Sequence, residues 1–571
     1  MAKTSPFIIR IRIVSVFVLF VAFVLVTRLF FVQVIHKNYY EEKADRQFAT
    51  PSGNIFDRGN IFFTKKDGSL ITAATVSTGF KIALNTNKLE DKENAYTKLS
   101  PYLEIEESVF MERASKINDP YEEVAINLTK EQADEIEKMK IPGVSIFKDN
   151  WRFYPGENLA SHTLGFIAYK GNDRVGQYGL ERYYNDVLSK SKDEMYVNFF
   201  AEIFSNIEDS FSREEKIEGD IVTTIEPQVE YMLESELRSS LDKWDAELAG
   251  GIIMDPITGE IYAMAGMPDF DLNNFKEVNN ISIYRNPLVE NVFEFGSVIK
   301  PLVVATGLDL GVITPETNYY DSGSVIVNKK EIKNFDDKGR GNVTVQDILD
   351  QSLNTGMVYI ESKIGHSNFR NYMKSYGIGE RTGIDLPNET YGLIKNLESP
   401  RDIEYANAAF GQGIALTPIG AVRAFSSLAN GGNLVTPHII KEIKYENGAS
   451  EILEYPYVKE NLIKKESADT ITRMLVHVFE SYNNGSYKIN SHSIATKTGT
   501  AQVAMEGGGG YYPDKHMHSF FGYFPAYNPR FIVFLFLKDP KGIRYASETL
   551  IPPFLNITKF LLNYYNVPPD R

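Results

Sequence analysis

Gly250-Gly251-Ile252-Ile253-Met254-Asp255-Pro256-Ile257-Thr258-Gly259-Glu260-Ile261-Tyr262-Ala263-Met264 decides how the rest of this 571-residue chain is read. Two apolar runs flank a turn carrying Pro256 and Gly259, the pattern of a β-hairpin. A second such pair stands near the carboxy terminus, where residues 519–524 and 530–537 flank Pro525-Ala526-Tyr527-Asn528-Pro529. Residues 492–503 add another strand-like run. Sheet elements therefore bracket a helical middle, and the expectation is an α+β unit built on an antiparallel sheet with a helical insertion. An amphipathic stretch, residues 228–244, precedes the first hairpin, and the main boundary falls near Gly219. Ahead of it, residues 37–218 are charge-rich and mix strand-like runs (79–84) with helical ones (130–138), which reads as a separate α+β module. One low-complexity patch, residues 507–510, reads as a flexible loop.

Composition narrows the function. A 43% hydrophobic chain of this length buries large cores and is expected to form two or three domains. A net charge of −15 and a pI near 5.2 argue against nucleic acid as a partner, because phosphate neutralisation needs clustered Lys and Arg. The absence of cysteine removes disulfides, thiolate nucleophiles and Cys-ligated metals together.

Location is written in the first 35 residues. Residues 13–35 are apolar apart from Ser15, Thr27-Arg28 and Gln33, about 35 Å of helix and long enough to cross a bilayer. Lys3, Arg10 and Arg12 precede the span without an acid, so residues 1–12 are expected in the cytoplasm and everything beyond about residue 36 outside. A cleaved signal peptide is the alternative, but no small-x-small site follows and bulky Leu29-Phe30-Phe31 occupies the place of cleavage.

The chemistry begins at Gly296-Ser297-Val298-Ile299-Lys300, directly ahead of the helix-forming run Pro301-Leu302-Val303-Val304-Ala305. Residues three apart share a helix face, so the Lys300 amine can reach the Ser297 hydroxyl, and a serine needs such a base to become a nucleophile. A helix start also aims unsatisfied N–H groups at charge developing on a carbonyl. The motif is weak alone, since Ser189-Lys190-Ser191-Lys192 has the same spacing in a charged, hydrophilic run. Two further motifs follow in order: Ser352-Leu353-Asn354 after the helix-like run 345–349, and Lys497-Thr498-Gly499-Thr500 in a strand-like one. Ser481-Tyr482-Asn483 also fits serine-x-asparagine but lies in a Gly/Asn-rich loop suited to capping or turn duty.

In these three motifs the chain resembles the penicillin-binding proteins and serine β-lactamases. Gly251–Pro256 with Thr258-Gly259-Glu260, Met267-Pro268-Asp269-Phe270 with Asn273, Gly411-Gln412-Gly413 with Thr417-Pro418, and Ser519-Phe520 with Gly522 are similar to class B transpeptidases. Gly53-Asn54-Ile55-Phe56-Asp57-Arg58, Arg152-Phe153-Tyr154-Pro155, His162 with Gly165, and Gly176–Glu181 resemble motifs of their pedestal, although Ser52 stands where that pattern has arginine, Gly59-Asn60 reverses its usual pair and Phe295 replaces proline.

The resemblance implies an amino-terminal transmembrane helix, an elongated α+β pedestal over 37–218, and a transpeptidase domain over 219–571 with a five-stranded antiparallel sheet, flanking helices and a mostly helical insertion. It implies that Ser297 is acylated by a peptidoglycan stem peptide, that Lys300 is its base, that Ser352 relays a proton and that Asn354 holds the substrate amide. Lys497 then supplies positive charge, Thr498 and Thr500 bind the terminal carboxylate within the Lys497-Thr498-Gly499 motif, and the backbone N–H groups of Ser297 and Thr500 form the oxyanion hole. β-Lactams are expected to acylate Ser297 as substrate mimics. No metal and no cofactor are expected; the His516/His518 pair lacks a third ligand at suitable spacing. A multi-span glycosyltransferase is the implied partner. A β-lactamase or β-lactam-sensing receptor of the same fold, and a non-enzymatic scaffold of a wall-synthesis complex, are the alternatives.

Overall fold

The computed structural model describes residues 56–117, 119–170, 173–190, 218–277, 280–505, 507 and 509–571, with residues 20, 23–25, 27 and 28 besides. Among them, residues 58–76, 152–190 and 218–571 form a larger compact unit, and residues 77–151 belong to a smaller one.

The larger unit is organised by a five-stranded antiparallel sheet. Its strands are β1 (Leu248–Met254), β2 (Ile261–Met267), β3 (Ala495–Ala504), β4 (Tyr511–Phe524) and β5 (Phe531–Lys538), in the order β3-β4-β5-β1-β2. The two local hairpins expected from the sequence are β1–β2 and β4–β5. The β5–β1 pairing joins them, with Ile532 opposite Met254 and Lys538 opposite Leu248. Strand β5 is apolar from Phe531 to Leu537 because both faces of the sheet are covered. Phe531, Val533, Leu535 and Leu537 share a core with helix α1 (Pro227–Lys243) and the last helix, α7 (Ala546–Tyr564). Ile532, Phe534 and Phe536 face a core with α2 (Lys300–Asp309), α5 (Pro418–Ala429) and α6 (Lys465–Ser481). Between α2 and α5 lie α3 (Val345–Asp350) and α4 (Asn354–Ile364), the helices on either side of the serine-x-asparagine motif.

A second sheet in this unit pairs Ile61–Thr64 antiparallel with the start of Leu70–Leu84 and parallel with Gly219–Thr223, which in turn pairs with Ile440–Tyr445. Residues before Gly219 thus contribute to the larger unit through two segments. They carry a buried ion cluster in which both carboxylate oxygens of Glu181 are taken, one by Arg58 Nε at 2.5 Å and one by Arg152 Nε at 2.6 Å. Arg58 also donates to Ser189 Oγ at 2.9 Å. That contact gives Ser189, the rival to Ser297 by spacing, a structural occupation; Ser191 and Lys192 lie outside the described residues.

In the smaller unit, Phe80–Leu84 pair with Glu122–Leu128, and helices Lys92–Leu99, Glu107–Ala114 and Lys130–Lys138 close a core around Ile82, Leu84, Leu99, Phe110, Val124 and Ile136. Lys130–Lys138 starts on a capping box between Thr129 and Gln132, the residue pattern that lets both orphan donors find side-chain partners. Most of the expected span 13–35, residues 1–12 and the motif at 53–55 lie outside the described residues. The described pieces at 20, 23–25, 27 and 28 are helical, and Phe20, Phe23, Val24 and Leu25 are exposed. Among the described residues no helix is long and apolar enough to cross a membrane.

Candidate active site

Ser297 sits in a 3₁₀ turn, Gly296–Ile299, that runs directly into α2. The apolar residues after it are apolar because α2 is central: Leu302, Val303, Val304 and Ala305 are fully buried. Pro301 fits there because the first helical turn has no partner for its missing N–H. The turn is pressed against the edge strand β3. A Cβ on Gly499 would lie 2.4 Å from Ser519 Oγ, 2.5 Å from the Phe295 carbonyl oxygen and 3.0 Å from the Val298 nitrogen. Glycine in the Lys-Thr-Gly motif is therefore a packing requirement. Gly296 meets a second constraint, with φ at 65° and space for a Cβ only 3.0 Å from the Thr500 carbonyl oxygen. Phe295, buried and edge-on to Phe534, fixes the turn from below while its carbonyl accepts from Ser519 Oγ at 2.7 Å.

The three motifs converge on Ser352. Lys300 Nζ contacts the Ser352 carbonyl oxygen at 2.6 Å, Ser352 Oγ at 3.2 Å and Asn354 Oδ1 at 2.9 Å. Lys497 Nζ reaches the same Ser352 Oγ at 3.2 Å and the Thr498 carbonyl at 3.1 Å. The spacing of the first motif suggests that the Lys300 amine meets the Ser297 hydroxyl; in the structure its acceptors are Ser352 and Asn354, and Ser297 opens onto the cleft.

Burial sets the protonation of this cluster. Lys300 has no exposed surface, and burial, reinforced by the charge of Lys497, pushes its amine well below the ordinary lysine range. Burial lowers Lys497 to about 7, while the charge of Asp350 pulls the other way. Burial and the charge of Lys497 both favour the uncharged form of the Lys300 amine. Lys300 Nζ donates to the Ser352 carbonyl, Ser352 Oγ and Asn354 Oδ1, and Lys497 Nζ donates to the same Ser352 hydroxyl oxygen. Lys497, Ser352 and Lys300 thus form a continuous hydrogen-bonded chain.

Above this cluster is a cleft of about 1150 Å³ lined by Ser297, Ser352, Asn354, Lys497, Thr498 and Thr500 among others. Gly499 packs against the turn that carries Ser297. Strand β3 forms the edge of the cleft; among the described residues it pairs with β4 alone, and its other side has no neighbouring strand. The Thr500 hydroxyl accepts from the Ala546 N–H at 3.2 Å, and Thr498 Oγ1 shares a 3.3 Å hydrogen bond with the Tyr482 phenol. Burial pushes that phenol up to about 12, so it stays neutral. No motif marks Tyr482: its Ser-Tyr-Asn context reads as a turn, and only the fold lays it beside Thr498. Asn334 and Asp321, buried behind Asn354, sit in polar sequence without periodicity and are equally unmarked. His516 lines the cleft, whereas His518 is buried between Thr549 Oγ1 at 2.9 Å and the Arg544 carbonyl at 3.1 Å. Among the described residues no three His, Asp or Glu side chains group as metal ligands.

Comparison with known proteins agrees with this geometry. Residues 249–558 match the penicillin binding protein transpeptidase domain, and residues 53–224 the penicillin-binding protein dimerisation domain. The chain is 30% identical to the stage V sporulation protein D of Bacillus subtilis, across 78% of this chain and 69% of that protein. It is 28% identical to the peptidoglycan D,D-transpeptidase FtsI of Escherichia coli, across 78% and 73% respectively. Its fold superposes on penicillin binding protein 3 of Mycobacterium tuberculosis complexed with aztreonam with a TM-score of 0.68 at 21% identity, covering 91% of this chain and 98% of that one. With its serine, two lysines and asparagine gathered under one cleft, the chain belongs to the penicillin-binding protein transpeptidase family and is a serine transpeptidase of that family.

Proposed function

We propose that this chain cross-links peptidoglycan as a D,D-transpeptidase with Ser297 as nucleophile, in septal or side-wall synthesis. The observation that carries the assignment is the convergence of Lys300, Lys497 and Asn354 around Ser352, which lines the same cleft as Ser297. In acylation, Ser297 Oγ bonds to the carbonyl carbon of the penultimate D-alanine and gives up its proton to Lys300, whose amine burial drives toward the uncharged form, directly or through Ser352. The C–N bond then breaks, and the departing D-alanine amine takes a proton along the Ser352 path. The Ser297 and Thr500 N–H groups bind the oxyanion, each typically contributing about 3 kcal/mol. Thr498, Thr500 and protonated Lys497 hold the terminal carboxylate. In the second half, an amine of a neighbouring stem attacks the ester, and Ser297 recovers its proton. The free side of β3 suits a donor peptide lying in extended form beside Ser297.

Residues 13–35 are assigned as a single-pass anchor in the cytoplasmic membrane, with 1–12 inside, 37–218 as the pedestal and 219–571 as the catalytic domain outside. The exposed apolar side chains at 20 and 23–25 support a lipid-facing helix. A multi-span glycosyltransferase that contacts anchor and pedestal is the proposed partner. Fluorescent penicillin should label the protein covalently and stoichiometrically, and Ser297→Ala should abolish the label. A Ser297→Ala protein that still carries the label would refute the assignment, and rapid multiple turnover of a chromogenic cephalosporin would favour a β-lactamase instead.

A further inference from the structure

The segment between the first two motifs folds as two nested hairpins. Asn318–Asp321 pairs with Gly341–Thr344, and inside it Ser324–Val327 pairs with Lys330–Lys333. This segment grips the serine-x-asparagine motif from both sides. Helix α4 begins at Asn354, and the residue at its cap position, Leu353, offers no side-chain acceptor. Asn334, twenty residues upstream, takes that role: its Oδ1 accepts from the backbone N–H of Asn354 at 3.0 Å and of Thr355 at 3.3 Å. The adjacent Lys333 carbonyl accepts from Asn354 Nδ2 at 2.9 Å. On the other flank, Arg340 Nε donates to Gln351 Oε1 at 2.9 Å.

Behind this contact is Asp321. It accepts from Asn334 Nδ2 at 2.9 and 3.1 Å, from Thr355 Oγ1 at 2.7 Å, and from the N–H groups of Gly323 and Arg340 at 3.0 Å. Asp321, Asn334 and Thr355 are all at least 98% buried, so water cannot substitute for any of these partners. The network also decides which way two amides point. With Asn334 Nδ2 held by Asp321, its oxygen must face the helix start. With Asn354 Nδ2 held by Lys333, its oxygen must face Lys300. Between the two flanks, Ser352 adopts φ 54°, a left-handed conformation that a residue with a Cβ keeps only when its surroundings impose it.

We propose that Asn334, backed by Asp321, is a positioning residue for the reaction: it holds Ser352 in its left-handed conformation and turns the Asn354 oxygen onto Lys300. The inference rests on the assignment of Ser297, Lys300 and Ser352 to acylation. It predicts a larger effect on the chemical step than on recognition, because Asn334, almost fully buried at the cleft wall, acts through the backbone that carries Ser352 and Asn354.

The test is stopped-flow acylation of the full chain by fluorescent penicillin, separating the acylation rate constant from the dissociation constant of the preceding complex. Asn334→Ala should lower the acylation constant by about tenfold or more, as expected when reacting groups lose alignment, with the dissociation constant changed by less than about threefold. Burst amplitude reports the folded fraction, so a merely structural role would reduce amplitude and leave the rate constant of the remaining molecules alone. Should Asn334→Ala fail to fold, Thr355→Val should show the same loss and Thr355→Ser should not. A folded Asn334→Ala protein with the wild-type acylation constant, or Thr355→Val and Thr355→Ser acylating alike, would overturn the proposal. If instead the wild type is not acylated at all, or Ser297→Ala still is, the assignment of the site fails and not the clamp.

Discussion

Replacing Lys497 by methionine should stabilise the protein at neutral and mildly acidic pH while abolishing acylation. The Lys497 side chain is 1% exposed, and burial lowers its amine from 10.5 to about 7. That displacement corresponds to about 5 kcal/mol, the free energy that the folded state gives up by holding this ammonium out of water. Between pH 7 and 10.5 the unfolded chain binds a proton at this position that the folded chain does not, so stability rises with pH across that window, and below pH 7 the full penalty is carried. Methionine keeps the unbranched stem and removes the charge. It also loses the hydrogen bonds to Ser352 Oγ and the Thr498 carbonyl, about 1 kcal/mol each. The expected balance is a gain of about 2 to 3 kcal/mol at pH 6.5, reversing to a small loss near pH 10.5. Calorimetry of the wild type and Lys497→Met at both pH values reads this directly, as melting curves that cross. A variant that is less stable by the same margin at both would show that no buried-charge penalty resides at Lys497. Functionally the same lysine should give acylation an alkaline limb near pH 7 in the free enzyme, where it loses the charge that holds the carboxylate.

Gly499→Ala should reduce acylation by about a hundredfold, because its Cβ must displace the Phe295–Val298 turn and with it Ser297, and small misplacements of a nucleophile carry losses of that size; a rate within threefold of wild type would show that the turn adapts. Glu234→Gln should flatten the pH dependence of stability. Burial first, and then the neighbouring Glu230, raise the Glu234 carboxyl above its ordinary range, so its contribution is full below about pH 4.5 and is lost as pH rises through the folded value. The glutamine variant should gain on the wild type by about 2 kcal/mol between pH 5 and 9, and parallel melting temperatures across that range would contradict it.

Local patterns in the chain carry much of the sheet. Alternating and apolar runs around turn residues place β1–β2 and β4–β5, and the helices over 130–138, after Gln228 and after Ser297 follow from periodicity and breakers. The pairing of β5 with β1 does not, because nothing in Phe531–Lys538 names a partner some 280 residues away; shared burial on both faces chooses it. The active residues divide along the same line. Order and context separate Ser297 from Ser189 in the sequence, and the fold adds the reason Ser189 is occupied, its contact with Arg58. The amine of Lys300 illustrates the limit. Helical spacing says only that it shares a face with Ser297, and its turn toward Ser352 and Asn354 depends on acceptors brought there by a different segment.

By itself, then, the sequence carries a serine, two lysines and an asparagine in three ordered motifs, and it is that order, through resemblance to the penicillin-binding proteins, that points to the reaction class. Only tertiary structure decides how those groups are oriented and charged. Asn334, Asp321 and Tyr482 act through contacts between segments that no local pattern links, and the depressed Lys300 and Lys497 amines owe their state to burial, which exists only once the helices and β3 have closed over them.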